Sequence, residues 1–559
     1  MKNKIKLLMI ILIILGILFR VALINSDFSG EETDFVKPAE AIANNSHPVF
    51  YHSEQQPVEV ALWHPPTYIF LMGFIFKFWQ GEIPARSINI IFSILTAILI
   101  YFFCSKLIQN KNSKIIGLIS SAIFLTNYYT LSSSIIIDID VLSMFFVFGF
   151  FFFITLYSYK QKIYLLILSF VFFFFGIANR YPMMILSYLA VLIYYYFNPE
   201  LKKQIKSYFL VGISGGIAFL IIWAVYSLII EPGNFFSFIS HNVQLGEEQF
   251  SNLKVYLLSF GLNIAQIIRL FTLPLVILFI WGLKSFFSKK ESYIKILLFY
   301  SWSIFLFFLL LPRPAFGYPR YFLTALPGIC ILIGIFIWEN LEQIKINEKY
   351  TLVFLIGLVL SINTLFLLNP QLTSYESNGL IKATNIPDFL FNLLGIFPIF
   401  LGFLFKADRK KIKFILLLSL LLSYSIYFDI KLVTYESNIK DVANYLKENT
   451  NSEDIIISPK AIGYYSDRRF YINEDTKPPL NLTADYLKRY FLESLKNREM
   501  DNEFFWPTGI YSGLYKPHPN EEELKKIVSY VVLYHPLSEI KYEKKIGQFH
   551  VYNLKHNII

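Results

Sequence analysis

Two cysteines in 559 residues leave no material for a disulfide framework or a cysteine-based metal centre. Both, Cys104 and Cys330, fall inside apolar runs, where a free cysteine behaves as a small hydrophobe. Charge is scarce too: 16% of residues are charged, against 55% hydrophobic and 18% aromatic, and mean hydropathy is +0.50. A soluble chain of this length would divide into domains with far more charged surface. The net charge of +10 is not gathered into a basic domain, which argues against a nucleic-acid partner. No internal repeat is visible, and no small-residue cleavage site follows the apolar N-terminus.

What the chain has instead is long apolar runs, such as "LLMIILIILGILF" and "MFFVFGFFFFITLY". Each approaches the roughly 20 residues that carry a helix across a ~30 Å hydrocarbon core. The reading is a polytopic α-helical protein of the cell membrane. Its start, "MKNKIKLLMI", reads as an uncleaved signal anchor with the basic end in the cytoplasm.

Lysine-rich loops at 106–114, 159–162, 201–206, 284–295, 347–350 and 406–413 alternate with loops that are not lysine-rich. By the positive-inside rule this gives about 13 transmembrane helices. They are expected near 6–25, 86–105, 115–132, 140–158, 163–179, 182–197, 208–230, 262–283, 294–311, 320–338, 351–368, 387–405 and 413–429. An odd number puts the tail outside the cell. Residues 1–429 then form the membrane domain, with 26–85 as a first extracytoplasmic loop carrying interfacial helices. Residues 430–559 form an extracytoplasmic α/β domain large enough to hold its own core. In it "SNIKDVANYLKEN" reads as an amphipathic helix capped by Ser437 or Asn438, and "ADYLKRYFLESLKN" as a second. "DIIIS", "SYVVLY" and "GQFHVYNL" read as strands, and "DRR" at 467–469 as a turn before another.

Charged groups at membrane-helix ends are costly unless paired or hydrated, so each is a functional candidate. The first outer loop carries Asp27, Glu31, Glu32, Asp34, Glu40, His47, Glu54, Glu59 and His64, with Arg86 opening the next helix. Later outer segments add Asp138, Asp140, Arg180, Arg313, Arg320 and Tyr321. Each has a plainer alternative. The two aspartates suit a helix cap, Arg86 and Arg320 suit headgroup anchors, Glu31 and Glu32 suit a solvated loop, and His64 suits a structural role. What favours function is that the candidates come from four loops at one membrane depth. Carboxylates facing arginines suit a reaction on a phosphate-bearing substrate: guanidinium grips phosphate bidentately, and carboxylate accepts a proton from an attacking hydroxyl. Nucleotide sugars are absent outside the cell, so an outer-face transferase needs a donor carried by lipid. A polyprenyl-phosphate sugar fits, because its phosphate leaves readily once a cation stabilises the departing charge.

These residues resemble the glycosyltransferase C superfamily, in the branch of protein O-mannosyltransferases and lipid A aminoarabinose transferases. The match runs through Glu31-Glu32-Thr33-Asp34-Phe35 and Ala39, then His64-Pro65-Pro66-Thr67-Tyr68 on a short interfacial helix. It continues through Ala85-Arg86-Ser87, Asp140 with Asp138 as rival, "GIANRYP" around Arg180, and "PRYFLTALPG" around Arg320-Tyr321. The resemblance implies catalytic roles for Glu31, Glu32, Asp34 and Asp140, and donor-phosphate binding by Arg86, Arg180, Arg320 and Tyr321. The family's leading Asp is Glu31 here, which leaves Glu31, Asp34 and Asp27 as candidates for its role. In some relatives such a His and Glu hold a divalent metal, which would fall to His64 and Glu32; others work without metal. The implied activity is inverting transfer of a sugar from a polyprenyl-phosphate carrier to an acceptor hydroxyl of a glycan, lipid or protein. The competing readings are a transporter or flippase of lipid-linked sugars, and an inactive homologue serving as a scaffold.

Overall fold

In lipid, an apolar run satisfies its backbone polar groups only by folding on itself as a helix or joining a closed barrel. A computed structural model describes residues 2–22, 24, 27–28, 32–46, 48–50, 59–60, 67–108, 110–230, 257, 260, 271–289, 291–310, 319–344, 348–368, 409–433, 438–472, 528–533, 542–547 and 549–553. Its apolar runs are helices α1 (Lys2–Val21), α4 (Glu82–Leu107), α5 (Ser113–Thr126), α6 (Tyr128–Ile135), α7 (Ile139–Lys160), α8 (Ile163–Phe197) and α10 (Ile205–Ile230). Further along lie α11 (Leu273–Ser288), α12 (Ser292–Leu310), α13 (Leu326–Ile344), α14 (Glu348–Leu368) and α15 (Arg409–Val433). The first loop contributes α2 (Thr33–Ala43), a two-stranded ribbon β1 (Val49–Phe50) with β2 (Glu59–Val60), and α3 (Thr67–Phe76); α9 (Pro199–Lys202) is a single turn.

Among the described residues five helices are long and apolar enough to cross a membrane, or six if α5 and α6 form one bent span. The expected span 115–132 is that bent pair: Asn127 ends α5, and its side chain accepts from Tyr129 and Thr130 N–H, capping α6 at an angle of 60°. Helix α8 holds two of the expected spans. Its 35 residues would measure about 52 Å if straight. Instead Arg180 breaks the helical backbone at φ −156°, ψ 85°, and Phe173 and Tyr188 meet with ring centroids 5.3 Å apart. The segment doubles back at Arg180, with Pro182 opening the returning arm. The expected span 387–405 lies outside the described residues, as does the start of 262–283 and the helix expected in "ADYLKRYFLESLKN".

Aromatic side chains fill the middle of the bundle. Phe103 of α4 stacks on Phe151 of α7 at 5.7 Å, and Phe151 on Tyr300 of α12 at 4.6 Å. Helix association of this kind is driven by packing contacts, since lipid tails are as apolar as the side chains. A 3-10 turn, Pro319–Ala325, packs against α7 and α12; Phe322 stacks on Phe305, and the Tyr300 hydroxyl donates to the Thr324 carbonyl at 2.5 Å.

The tail holds α16 (Ile439–Asn449), β3 (Ile455–Ser458), α17 (Lys460–Ser466), β4 (Arg469–Ile472), β5 (Val528–Leu533), β6 (Lys544–Ile546) and β7 (Phe549–Asn553). The sheet order is β4-β3-β5-β7-β6, with β3 parallel to both neighbours and β7 antiparallel to both of its own. Val442 and Leu446 of α16 pack with Ile456, Val532 and Phe549 beneath them. Asn438 occupies the cap position of α16 but in the left-handed region (φ 57°), and its amide meets Asp441 at 3.3 Å instead of capping a backbone N–H. Asp467 is left-handed (φ 53°) and Arg469 opens β4, so "DRR" is a turn into a strand.

Candidate active site

The site is assembled where α4 and α7 begin and α8 turns. Glu32 precedes α2, its carbonyl accepting from the Phe35 and Val36 N–H groups. The buried face of α2, with Phe35, Val36 and Ala39, rests on Tyr68 and Met72 of α3. Gly73 lets the two helices touch: a Cβ there would stand 2.7 Å from Ile42 Cγ2. Asp34, in the first turn of α2, is thereby fixed to the helix that follows the His-Pro-Pro segment.

Glu32 and Arg86 are both fully buried and form an ion pair at 3.0 Å. Arg86 Nη2 reaches both carboxylate oxygens and the Asp27 carbonyl (2.9 Å), while Nε donates to the Ile135 carbonyl at 2.7 Å. The Ile137 N–H donates to Glu32 Oε1 at 2.9 Å. The guanidinium lies over the Phe28 ring, 5.3 Å from its centroid. One buried pair thus ties the first loop to α4 and to the strand-like segment between α6 and α7.

Beyond that segment the two rival aspartates separate. Asp138 caps α7, accepting from the Ile139 N–H at 2.5 Å. Asp140, in the first turn, forms an ion pair with Arg180 at the turn of α8. Asparagines hold the surrounding backbone: Asn89 donates to the Ile136 and Asp138 carbonyls, Asn179 to that of Ile139. Thr67, the first residue of α3, donates to the Ala178 carbonyl at 2.8 Å, which joins the first loop to the Arg180 turn.

The C-terminal unit closes over the same acids. Lys440 pairs with Glu82 (2.7 Å) and reaches Asp27 (3.7 Å), and its backbone N–H donates to Asp27 Oδ2 at 3.1 Å. Lys460 pairs with Asp34. The Tyr464 hydroxyl donates to Glu40 at 2.8 Å, and that of Tyr465 to Glu82 at 2.7 Å. Between α2 and this unit lies a cavity of about 240 Å³, lined by Asp34, Lys37, Lys460, Tyr464 and Arg469 among others.

Of the residues singled out in the sequence, the structure gathers Glu32, Arg86, Asp140 and Arg180 at one end of the bundle, with Asp34 on α2 facing the C-terminal unit. Glu31 and His64 lie outside the described residues; Arg320 and Tyr321 are described only as backbone of the 3-10 turn beside α7. Two expectations need correction. Glu32 does not fit a metal ligand or a base open to substrate, because a guanidinium and a backbone N–H engage its carboxylate in a site closed to solvent. Arg86, equally closed, does not fit a phosphate grip, for its fork is spent on Glu32 and two carbonyls. Among the described residues no group of three or more His, Cys, Asp or Glu is placed to hold a metal ion.

Sequence reasoning missed Arg20, Tyr464 and Tyr465. Arg20 is buried at the end of α1, donating to the Gly16 carbonyl (2.9 Å) and reaching the Leu125 carbonyl at the end of α5 (3.4 Å). A lone arginine interrupting "GILFRVAL" was its signal. The two tyrosines carried none, being adjacent residues on a seven-residue helix.

The family model for dolichyl-phosphate-mannose-protein mannosyltransferases matches residues 63–227, the stretch holding Arg86, Asp138, Asp140 and Arg180. The fold is similar to ArnT from Cupriavidus metallidurans bound to undecaprenyl phosphate, with TM-score 0.61 at 13% identity over 98% of this chain and 97% of that one. Over residues 63–227 the chain is thus similar to this mannosyltransferase family, and over nearly its whole length it shares a fold with ArnT. The apo state of the same ArnT aligns at TM-score 0.60 and 12% identity, over 98% and 97% of the two chains. Archaeal oligosaccharyltransferase AglB from Archaeoglobus fulgidus, in complex with an inhibitory peptide and a dolichol-phosphate, aligns at TM-score 0.45 and 11% identity, over 94% of this chain and 69% of that one. No curated protein matches by sequence.

Proposed function

We propose that the protein transfers a sugar from a polyprenyl-phosphate carrier to an acceptor hydroxyl at the extracytoplasmic face of the cell membrane. The observation that carries this reading is the convergence of Asp140–Arg180, the Glu32–Arg86 lock and the acidic first loop at one end of a bundle similar in fold to ArnT. The ArnT to which the fold is similar is described bound to undecaprenyl phosphate, and a carrier of that chemistry suits this chain.

In this account Arg180, held by Asp140, and Arg320 on the turn beside α7 grip the carrier phosphate and stabilise its departing charge. Glu31 takes the acceptor proton as the oxygen attacks the anomeric carbon, giving inversion. Its sequence neighbour Glu32 is locked to Arg86. The cavity beside Asp34 is wide enough to admit part of an acceptor between α2 and the C-terminal unit.

The test is turnover. Purified protein in lipid nanodiscs should release polyprenyl phosphate from labelled carrier-linked hexoses or aminoarabinose in the presence of extracted cell-envelope acceptors. Carrier exchange across vesicles without any bond cleavage would contradict the reading and leave the flippase alternative standing.

A further inference from the structure

Tyr465 stands at the point where the C-terminal unit meets the acidic first loop. Its hydroxyl accepts from the Phe28 N–H and donates to Glu82 Oε1, both at 2.7 Å. Its ring stacks on Phe28 with centroids 5.8 Å apart and planes 16° from parallel. Phe28 is almost fully buried, and its ring also lies under the Arg86 guanidinium that holds Glu32. Lys440 pairs with Glu82 and lies 5.1 Å from the Tyr465 centroid, so the acceptor of the tyrosine proton is itself fixed from the C-terminal side. Burial foremost, with the nearby Glu82 carboxylate, pushes the Tyr465 hydroxyl well above the usual phenol range, so it remains a proton donor across the physiological pH range.

We infer that Tyr465 is a positioning residue: it fixes the backbone at Phe28 and so couples the C-terminal unit to the first loop, to which the proposed function assigns the base. The inference rests on the transferase reading for its kinetic consequence but not for its structural one. Phe28 is anchored at its N–H, at its ring and, through Arg86, at the neighbouring Asp27 carbonyl. Removing the hydroxyl frees the first anchor and leaves the other two.

The experiment compares full-length Tyr465→Phe with the parent protein in nanodiscs, by hydrogen exchange of the Phe28 amide and by steady-state transfer. Loss of one hydrogen bond should speed Phe28 exchange about fivefold, the factor of roughly 1 kcal/mol. At saturating carrier, kcat should fall about tenfold or more, because misplacement of a reacting group by a fraction of an ångström is costly, while the KM for carrier stays put. A merely structural tyrosine would not split kcat from KM. Unchanged Phe28 exchange overturns the inference, and so does faster exchange with unchanged kcat. A parent protein without transferase activity would sink the proposed function instead, and the exchange result alone would then decide the positioning role.

Discussion

Glu32 and Arg86, 54 positions apart in the chain, meet at 3.0 Å with both side chains shut away from solvent. A buried pair of this kind adds little net stability over an apolar one, but breaking it strands a charge.

Arg86→Ala and Glu32→Gln should therefore each lower stability by about 3–5 kcal/mol, read as the loss of monodisperse protein in a detergent thermal-shift series. Arg86→Lys should recover little, since an ammonium cannot hold Glu32 and the Ile135 carbonyl with one planar fork. Thermal midpoints equal to the parent's in both single variants would show that the lock does not hold the loop.

The arginines at the site end should serve the carrier. Arg180→Ala and Arg320→Ala should each weaken polyprenyl-phosphate binding by roughly ten- to hundredfold, the value of a charge-assisted hydrogen bond. Lysine at either position should rescue only in part. Native affinity in both folded alanine variants would remove them from the phosphate site.

Orientation is checked by fusion. By the positive-inside rule the lysine-rich loops predict that the first loop and everything after about residue 430 lie outside the cell. A reporter joined after residue 440 should be active only if exported. Cytoplasmic activity there would overturn the topology, and with it the reason for a lipid-carried donor.

Legibility in the sequence followed distance and repetition. The reversal at Arg180 was readable, because an arginine and a proline interrupt an apolar run too long for one crossing. Strands at 455–458, 528–533 and 549–553 announced themselves through β-branched and aromatic runs. The partnership of Glu32 with Arg86 was hidden, since nothing local distinguishes a carboxylate that binds a partner from one that faces substrate. The same holds for Asp34 with Lys460, contributed by segments more than 400 residues apart. The tyrosine contacts were hidden for a further reason: Tyr464 and Tyr465 act through hydroxyls aimed at acids of another segment, and a short helix has no periodicity to show which face it turns.

The account stands or falls on the base. Glu32 is locked to Arg86 and Asp34 is paired with Lys460; the proposed function gives the acceptor's proton to Glu31. The deciding measurement is single-turnover transfer from labelled carrier-linked sugar by Glu31→Gln and Asp34→Asn in parallel preparations. Glu31→Gln should lose roughly 10²–10⁴ in rate, the share that general base catalysis supplies, while retaining carrier affinity. Asp34→Asn should stay within about tenfold of the parent, the smaller cost of a shifted but intact site. Loss of transfer in Asp34→Asn alone would move the base to Asp34, and full activity in both would contradict the assignment of this loop to catalysis.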